Sequence, residues 1–551
     1  MIVYFDKSRP VLDLYAHQKQ MVDKYSDKTE VALFLEMGCG KSLTTLHIAY
    51  EKYKQGQIKG LLLIAPNDVH KQWYTELCNG IDKDRDGVMW QELPCDLEAR
   101  CYGGRGGDKE LYPFETNNMF RFVSINVDSF STEHKWEPFV QLANSDNYMV
   151  AIDEATSIKN PDSQRSKRLL YSFNDIVKRG KIIVSSTKKS TSLNRAVLTG
   201  TPVTNGPVDL WSIMEFLKPN YFGLNYFTFK QTYAMYTQMQ IQAGSVSRMI
   251  QVPLSEVSWN MIHSASCYPV AASMTGCSED TYLTIKNQSR FEGAYKHIDK
   301  LKAQLAPAAT FLKLTDVVDM PKQAYLIRQV SMTDNQKKAY KSMQKDLLIM
   351  GDDWLSEASN KMVAMIRLQQ ISSGFTMAQS QVVDFESLDP PESEVRWLDE
   401  TNPKLDRLMA DIEEVDKPLL ILTRYSAEAA KIYELCKKAG YRTGLFTGWK
   451  VEGGVDAFKA GELDILVANS QKISRGFNLQ IAHTTLFYSN SFSMEVRQQA
   501  EFRTFRMGQE HSCLYIDYTA SKIDELVLSA LQSKKNLLDV IRSRNIMEVL
   551  K

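Results

Sequence analysis

What the chain lacks narrows it first. No window holds the ~20 consecutive apolar residues that a bilayer-spanning helix needs, so a membrane protein is not expected. The N-terminus, MIVYFDKSRPVLDLY, has no basic segment leading into an apolar core and a small-residue cleavage site. No secretory signal is read, and a cytoplasmic location is expected. Cysteine is sparse: eight are scattered along the sequence, with no C-x-x-C pair and no Cys/His cluster at zinc-finger spacing. Cys95 with Cys101, or Cys267 with Cys277, are the pairs available to a metal site, and reduced thiols are the default. Net charge is missing too, because Lys plus Arg and Asp plus Glu number 66 each. Global charge therefore offers no argument for a polyanionic partner, and any nucleic-acid contact must come from local patches. One such patch is KRGKIIVSSTKKSTSLNR, Lys178 to Arg195, with six basic residues and no acidic one. The same stretch also reads as a solvated surface hairpin.

What is present is a chain of 551 residues, long enough for two to four domains with their own cores. The stretch LFLEMGCGKSLTTL, Leu33 to Leu46, ends an apolar run at Gly38-Cys39-Gly40-Lys41-Ser42 and continues in a helical pattern. Val31 to Leu35 has the length and the β-branched start of a buried strand, and Gly38 and Gly40 break it before a helix opens near Lys41. That is the context a phosphate loop requires. Glycines admit phosphate close to backbone amides, and the helix N-terminus supplies partial positive charge. Lys41 reaches the terminal phosphates, and the Ser42 hydroxyl can ligate magnesium. A strict G-x-x-x-x-G-K-[ST] would carry glycine at position 35, where Leu35 stands.

Further strand and helix units follow. GLLLIAP and NDVHKQWYTEL read as a buried strand, a proline stop and an amphipathic helix with Val69, Trp73 and Leu77 on one face. RFVSINVDSF reads as another strand, and Tyr148 to Ile152 runs straight into Asp153-Glu154. Paired carboxylates at a strand's carboxyl end suit a magnesium nucleotide, with Asp153 holding the metal through water and Glu154 polarising the attacking water. Alternating strands and helices imply a parallel sheet covered on both faces, with ligands at the carboxyl ends of its strands. The second half repeats the scheme in LLILT, TGLF, DILVA, TLFYS and CLYIDYT. Arg503 and Arg506 stand three apart, one helical turn from each other, and so are expected to share a face.

AVLTGTPVTNGPVDLWSIMEFLKPNYFG, Ala196 to Gly223, resembles motif three and its extension in the Swi/Snf-like ATPases of the superfamily-two helicases. LYAHQKQMV resembles the Q motif of that family, EMGCGKS motif one and DEATSIKN motif two. In the second half, LLILTRYSAEA resembles motif four, DILVANSQKISRGFNLQ motif five and QQAEFRTFRMGQ motif six. The resemblance covers nearly the whole chain. It implies an α/β protein of two RecA-like parallel-sheet lobes with helical insertions between and within them. Lobe one is expected at about 1–225, a helical middle at about 226–400 and lobe two at about 401–551.

The resemblance also implies roles for individual residues. Gln18 would read the adenine. Gly38, Gly40, Lys41, Ser42, Asp153 and Gly476 would hold ATP, with Mg2+ on Ser42 and Asp153. Lys41, Glu154, Arg503 and Arg506 would be catalytic, the arginines as fingers from across a cleft that closes around ATP. The activity implied is a DNA-dependent ATPase that acts as a monomer and moves on duplex DNA with low sequence specificity, remodelling nucleoprotein. Candidate DNA contacts are Lys71, Thr199 to Thr201, Asn205, Arg424 and the 178–195 patch. A helicase that separates DNA or RNA strands is a second reading. A third is a binding module that uses ATP as a switch on a protein partner. Departures from the family pattern are Thr156 in the Asp-Glu-x-His box, Ser474-Arg475-Gly476 in motif five and Phe492-Ser493-Met494 before motif six. They mark a divergent member of phage or prokaryotic type.

Overall fold

The computed structural model describes every residue except 83–87, 103–113, 117, 132–135, 174–175, 179–180, 185–193, 204–205, 235, 244–245, 254–266, 270–294, 350–357, 378–394, 448–450, 474–476 and 533–551. The chain divides into two compact units, Met1–Asp319 and Met320–Lys551. Most of residues 241–277 and 376–403 lies outside the described residues.

The first unit is built on an eight-stranded sheet. Its strands are β1 (Ile2–Val3), β2 (Glu30–Leu35), β3 (Gly60–Ala65), β4 (Leu97–Tyr102), β5 (Phe120–Asn126), β6 (Met149–Ile152), β7 (Arg195–Leu198) and β8 (Ala309–Leu312). Their spatial order is β1-β4-β5-β3-β6-β7-β2-β8. All neighbours are parallel except β1 on β4. Strands β2, β3 and β6 read as unbroken apolar runs because helices cover both faces and leave neither side wet. Helices α1 (Ala16–Tyr25), α2 (Lys41–Lys54) and α3 (Asn67–Asn79) belong to this layer. One continuous core joins Phe34, Ile64, Ile125, Ile152, Val197, Ile213 and Phe216.

The second unit carries a seven-stranded sheet. Strands β9 (Gln323–Gln329), β10 (Leu419–Thr423), β11 (Thr443–Phe446), β12 (Val451–Glu452), β13 (Ile465–Asn469), β14 (Thr484–Phe487) and β15 (Cys513–Thr519) lie in the order β9-β15-β14-β10-β13-β11-β12. Only β12 runs antiparallel. Its core gathers Leu408, Ile421, Ile432, Val467, Leu486 and Ile516. A smaller cluster, with Met365, Leu368, Ile523 and Val527, packs helix Ala358–Ser372 against Lys522–Gln532. The α/β expectation of two parallel-sheet lobes holds. The stretch read as a helical middle adds one strand to each sheet, β8 to the first and β9 to the second. Among the described residues no helix is long and apolar enough to cross a membrane.

Register in the first sheet leaves no slack at the start of β3. Gly60 pairs with Arg121, and a Cβ at position 60 would lie 1.8 Å from the Arg121 carbonyl oxygen. Backbone cannot yield as a flexible side chain can, so even a methyl forces the strands apart. Gly60→Ala is expected to lower the melting temperature by several degrees in a thermal unfolding scan. A melting temperature within a degree of the parent would contradict this register.

Candidate phosphate-binding site

Three segments meet at the carboxyl edge of the first sheet because the register aligns them. Leu198 of β7 pairs with Leu33 of β2, and Val197 pairs with Ile152 of β6. The chain leaves β2 into Glu36 to Gly40, leaves β6 into Asp153-Glu154, and leaves β7 into Thr199-Gly200. Motifs one and two are thereby brought together, as the sequence leads one to expect, and motif three joins them.

In the first segment Gly38 and Gly40 take φ of 86° and 73°, a left-handed conformation that costs glycine little and side-chain-bearing residues more. Gly40 is the N-cap of α2, so Lys41 and Ser42 open the helix and sit at its partial positive end. The Lys41 ammonium rests on neutral carbonyls, 3.0 Å from Leu35 O and 3.5 Å from Glu36 O. Thr44 and Thr45 donate back to the carbonyls of Gly40 and Lys41 at 2.9 and 2.8 Å, tightening the first turn. Burial pushes the Cys39 thiol up to about 11, so it stays a neutral thiol within the loop.

Helix α1 braces the loop from outside. Gln18 is 1% exposed. Its Oε1 accepts from the Tyr15 amide at 2.8 Å, and its Nε2 donates to Gly40 O at 3.4 Å. The amide expected to read adenine is thus engaged in capping α1 and holding the glycine turn. His17 adds a contact absent from the sequence reading, its Nε2 lying 3.2 Å from Cys39 O.

In the second segment the Asp153 carboxylate is 5% exposed and bonded at both oxygens. Oδ1 accepts from the Glu154 amide at 2.9 Å, and Oδ2 accepts from the Trp73 indole at 3.1 Å. Burial pushes its pKa upward, while the Lys41 charge, the Glu154 amide and the indole pull it back. Glu154 has φ 49° and ψ 57°, a left-handed conformation that a non-glycine residue adopts at a cost of about 1–2 kcal/mol. Thr156 is buried in the 3-10 turn that follows.

In the third segment Thr199 donates its amide to Leu33 O at 3.2 Å, and its Oγ1 accepts from the Thr201 amide at 3.2 Å. A Cβ on Gly200 would come within 3.4 Å of Leu35 O and of Met37. Glycine here lets the turn pack against the end of β2.

In the second unit α4 (Met494–Thr504) carries Arg503. Its Nη1 donates to Phe477 O at 3.1 Å, bracing motif five. The expectation that Arg503 and Arg506 share a helical face is not met. Phe505 turns extended, at φ −94° and ψ 91°, and ends the helix before Arg506. A turn closed by Gln509 N to Arg506 O follows, with Gly508 at φ 89°. Helix α4 is anchored by Arg497, which is 6% exposed. Its guanidinium binds Asp517, Glu501 and Asn490 and lies 3.5 Å from the centroid of the Phe487 ring. The sequence reading missed it because its partners are scattered.

The candidate DNA contacts fare differently. Lys71 stands on α3, and Thr199 to Thr201 lie at the sheet edge. Arg195 is buried in β7 and donates to Phe216 O and Phe173 O at 2.9 and 2.6 Å, so it is structural. Arg424 donates to Gln369 at 2.9 Å and lies 3.6 Å from the centroid of Phe492, again within the fold. Asn205, Gly476 and most of the 178–195 patch lie outside the described residues. Among the described residues no group of three or more His, Cys, Asp or Glu side chains could hold a metal ion. Cys101 instead sits 3.5 Å from buried His70.

The left-handed strain at position 154 can be relieved by glycine. Glu154→Gly is expected to leave the melting temperature unchanged or raised in a thermal unfolding scan. A clear loss of stability would contradict the strain described here.

Comparison with known proteins gives concordant matches. The family model described as the SNF2-related domain matches residues 17–377. YwqA of Bacillus subtilis (strain 168), whose name assigns it to ATP-dependent helicases or translocases, is 22% identical over 529 residues, covering 93% of this chain and 46% of YwqA. ISW1 of Saccharomyces cerevisiae (strain ATCC 204508 / S288c), named as an ISWI chromatin-remodeling complex ATPase, is 27% identical over 207 residues, 37% of this chain and 15% of ISW1. The chain thus spans less than half the length of either relative. A solved structure of the Sulfolobus solfataricus SWI2/SNF2 ATPase core in complex with dsDNA aligns over 99% of this chain and 97% of that one, at 18% identity and a TM-score of 0.35.

Proposed function

This chain belongs to the SNF2-related domain family, and on that basis we propose that it hydrolyses ATP and uses the cycle to move along duplex DNA, remodelling nucleoprotein. The observation that carries the proposal is the register-aligned edge where the Gly38–Ser42 loop, Asp153-Glu154 and Thr199-Gly200 converge. A nucleotide-binding parallel sheet takes its ligand at the carboxyl ends of its strands, which is where a phosphate loop and its partner carboxylates belong. The names of YwqA and ISW1 agree with it.

The residues fit the triphosphate. Two left-handed glycines and the N-terminus of α2 form a turn open to backbone amide contacts, and the Lys41 ammonium lies on uncharged carbonyls that it can leave for a phosphate oxygen. Ser42 and Asp153 would hold Mg2+, which when bound neutralises charge on the phosphates. Gln18 keeps the glycine turn in shape. Glu154 orients the attacking water. DNA is held mainly through phosphates, with Lys71 and Thr199 to Thr201 as contacts, so binding is sequence-tolerant and salt-sensitive. The protein acts as a monomer in the cytoplasm.

Displacement of a third strand from a DNA triplex tests translocation without strand separation. The parent protein is expected to release the third strand in the presence of ATP while leaving the underlying duplex paired. Lys41→Ala and Glu154→Gln are expected to abolish both release and turnover with the fold intact. Release by Lys41→Ala at the parent rate would overturn the site, and melting of the duplex would identify a strand-separating helicase instead.

A further inference from the structure

We propose that Trp73 is a positioning residue for the divalent cation, holding the Asp153 carboxylate in the orientation that receives it. This rests on the reading above that the site takes a magnesium nucleotide. Trp73 is 3% exposed on the sheet-facing side of α3, and its indole N–H reaches Asp153 Oδ2 at 3.1 Å across 80 residues of sequence. The other oxygen of the same carboxylate is held by the Glu154 amide at 2.9 Å. The two donors together leave the carboxylate no freedom to rotate about its Cβ–Cγ bond. An indole N–H can only donate, so it fixes Oδ2 as an acceptor, the role that a cation also requires of a carboxylate oxygen.

The mount for this donor is rigid. Next to Trp73, His70 is fully buried and kept neutral, its pKa pushed down to about 4 by burial and by the neighbouring Lys71 charge. Its Nδ1 lies 3.4 Å from Ser124 Oγ on β5 and 3.5 Å from Cys101 Sγ on β4. Leu77, one turn beyond Trp73, is buried as well. Helix α3 is therefore fixed to β4 and β5 on the N-terminal side of Trp73 and packed on its C-terminal side. The indole is aimed by the helix rather than by a mobile loop. The bond links motif two to the helix that carries Lys71, a candidate DNA contact.

The test compares binding of a fluorescent ADP analogue with Mg2+ and with EDTA, in the parent and in Trp73→Phe, which keeps an aromatic ring and removes the N–H. In the parent, Mg2+ tightens binding. In Trp73→Phe the affinity in EDTA stays within about twofold, the melting temperature is retained, and the gain from Mg2+ shrinks about tenfold, the scale of outer-shell losses at metal sites. An undiminished gain from Mg2+ in the variant overturns the proposal. Failure of the parent itself to gain from Mg2+ overturns instead the nucleotide reading on which it rests. Should Trp73→Phe not fold, the parent and Asp153→Asn are compared by nitrogen-15 NMR of the eight tryptophan indoles. One indole signal is expected to move on Asp153→Asn, and eight unmoved signals overturn the proposal.

Discussion

Register in the first parallel sheet is the constraint on which the site depends. Strands β2, β7 and β6 are pinned by consecutive pairs, Leu33 with Leu198 and Val197 with Ile152, so their carboxyl ends fall at one level. A one-residue slip in any of them would turn every side chain of that strand to the opposite face and displace its loop by a residue. The slip is prevented by burial on both faces, since Val31 to Leu35 and Met149 to Ile152 leave almost nothing exposed. Apolar packing far from any ligand thus decides where the Gly38–Ser42 turn, Asp153 and Gly200 stand.

Upon that frame the site places groups whose local conformations are costly. Glu154 sits left-handed, at a cost that Gly38 and Gly40 in the same region avoid, and Asp153 gives up water for two hydrogen bonds. Such positions persist where surrounding structure over-determines them, and they concentrate where chemistry needs fixed groups. The second unit uses a different device. Arg497, buried among Asp517, Glu501 and Asn490, ties α4 to β15 through charge-assisted bonds that would be costly to leave half made. It sets the direction of the helix from which Arg503 reaches Phe477 and after which Arg506 follows.

Much of this was legible in the sequence, for reasons that can be named. Continuous apolar runs mark β2, β3 and β6, and glycine followed by Lys-Ser marks the turn, because both signals are local. The strands that escaped are of another kind. β4 carries Glu98 and Arg100 within LEARCY, where the two form an ion pair at 2.6 Å and break the apolar run. β9 is an edge strand with most of its residues exposed, so no burial pattern announces it. Long-range contacts were invisible for the same reason. Trp73 reads as a core aromatic on an amphipathic helix, and only the fold shows its N–H at Asp153. Arg195 and Arg424 read as candidate DNA contacts, and only packing shows them engaged with Phe216, Phe173, Gln369 and Phe492. The three-residue spacing of Arg503 and Arg506 misled because it presumes a helix that in fact ends at Thr504.

The proposed function joins a nucleotide site to movement on DNA, and that coupling is what a single experiment can address. The measurement is steady-state ATP hydrolysis with no nucleic acid, with single-stranded DNA, with duplex DNA and with RNA, each at two salt concentrations. The account predicts strong stimulation by duplex DNA that fades as salt rises, because the contacts are to phosphates. Hydrolysis unchanged by any of the three nucleic acids would contradict it and would favour an ATP-driven switch acting on a protein partner.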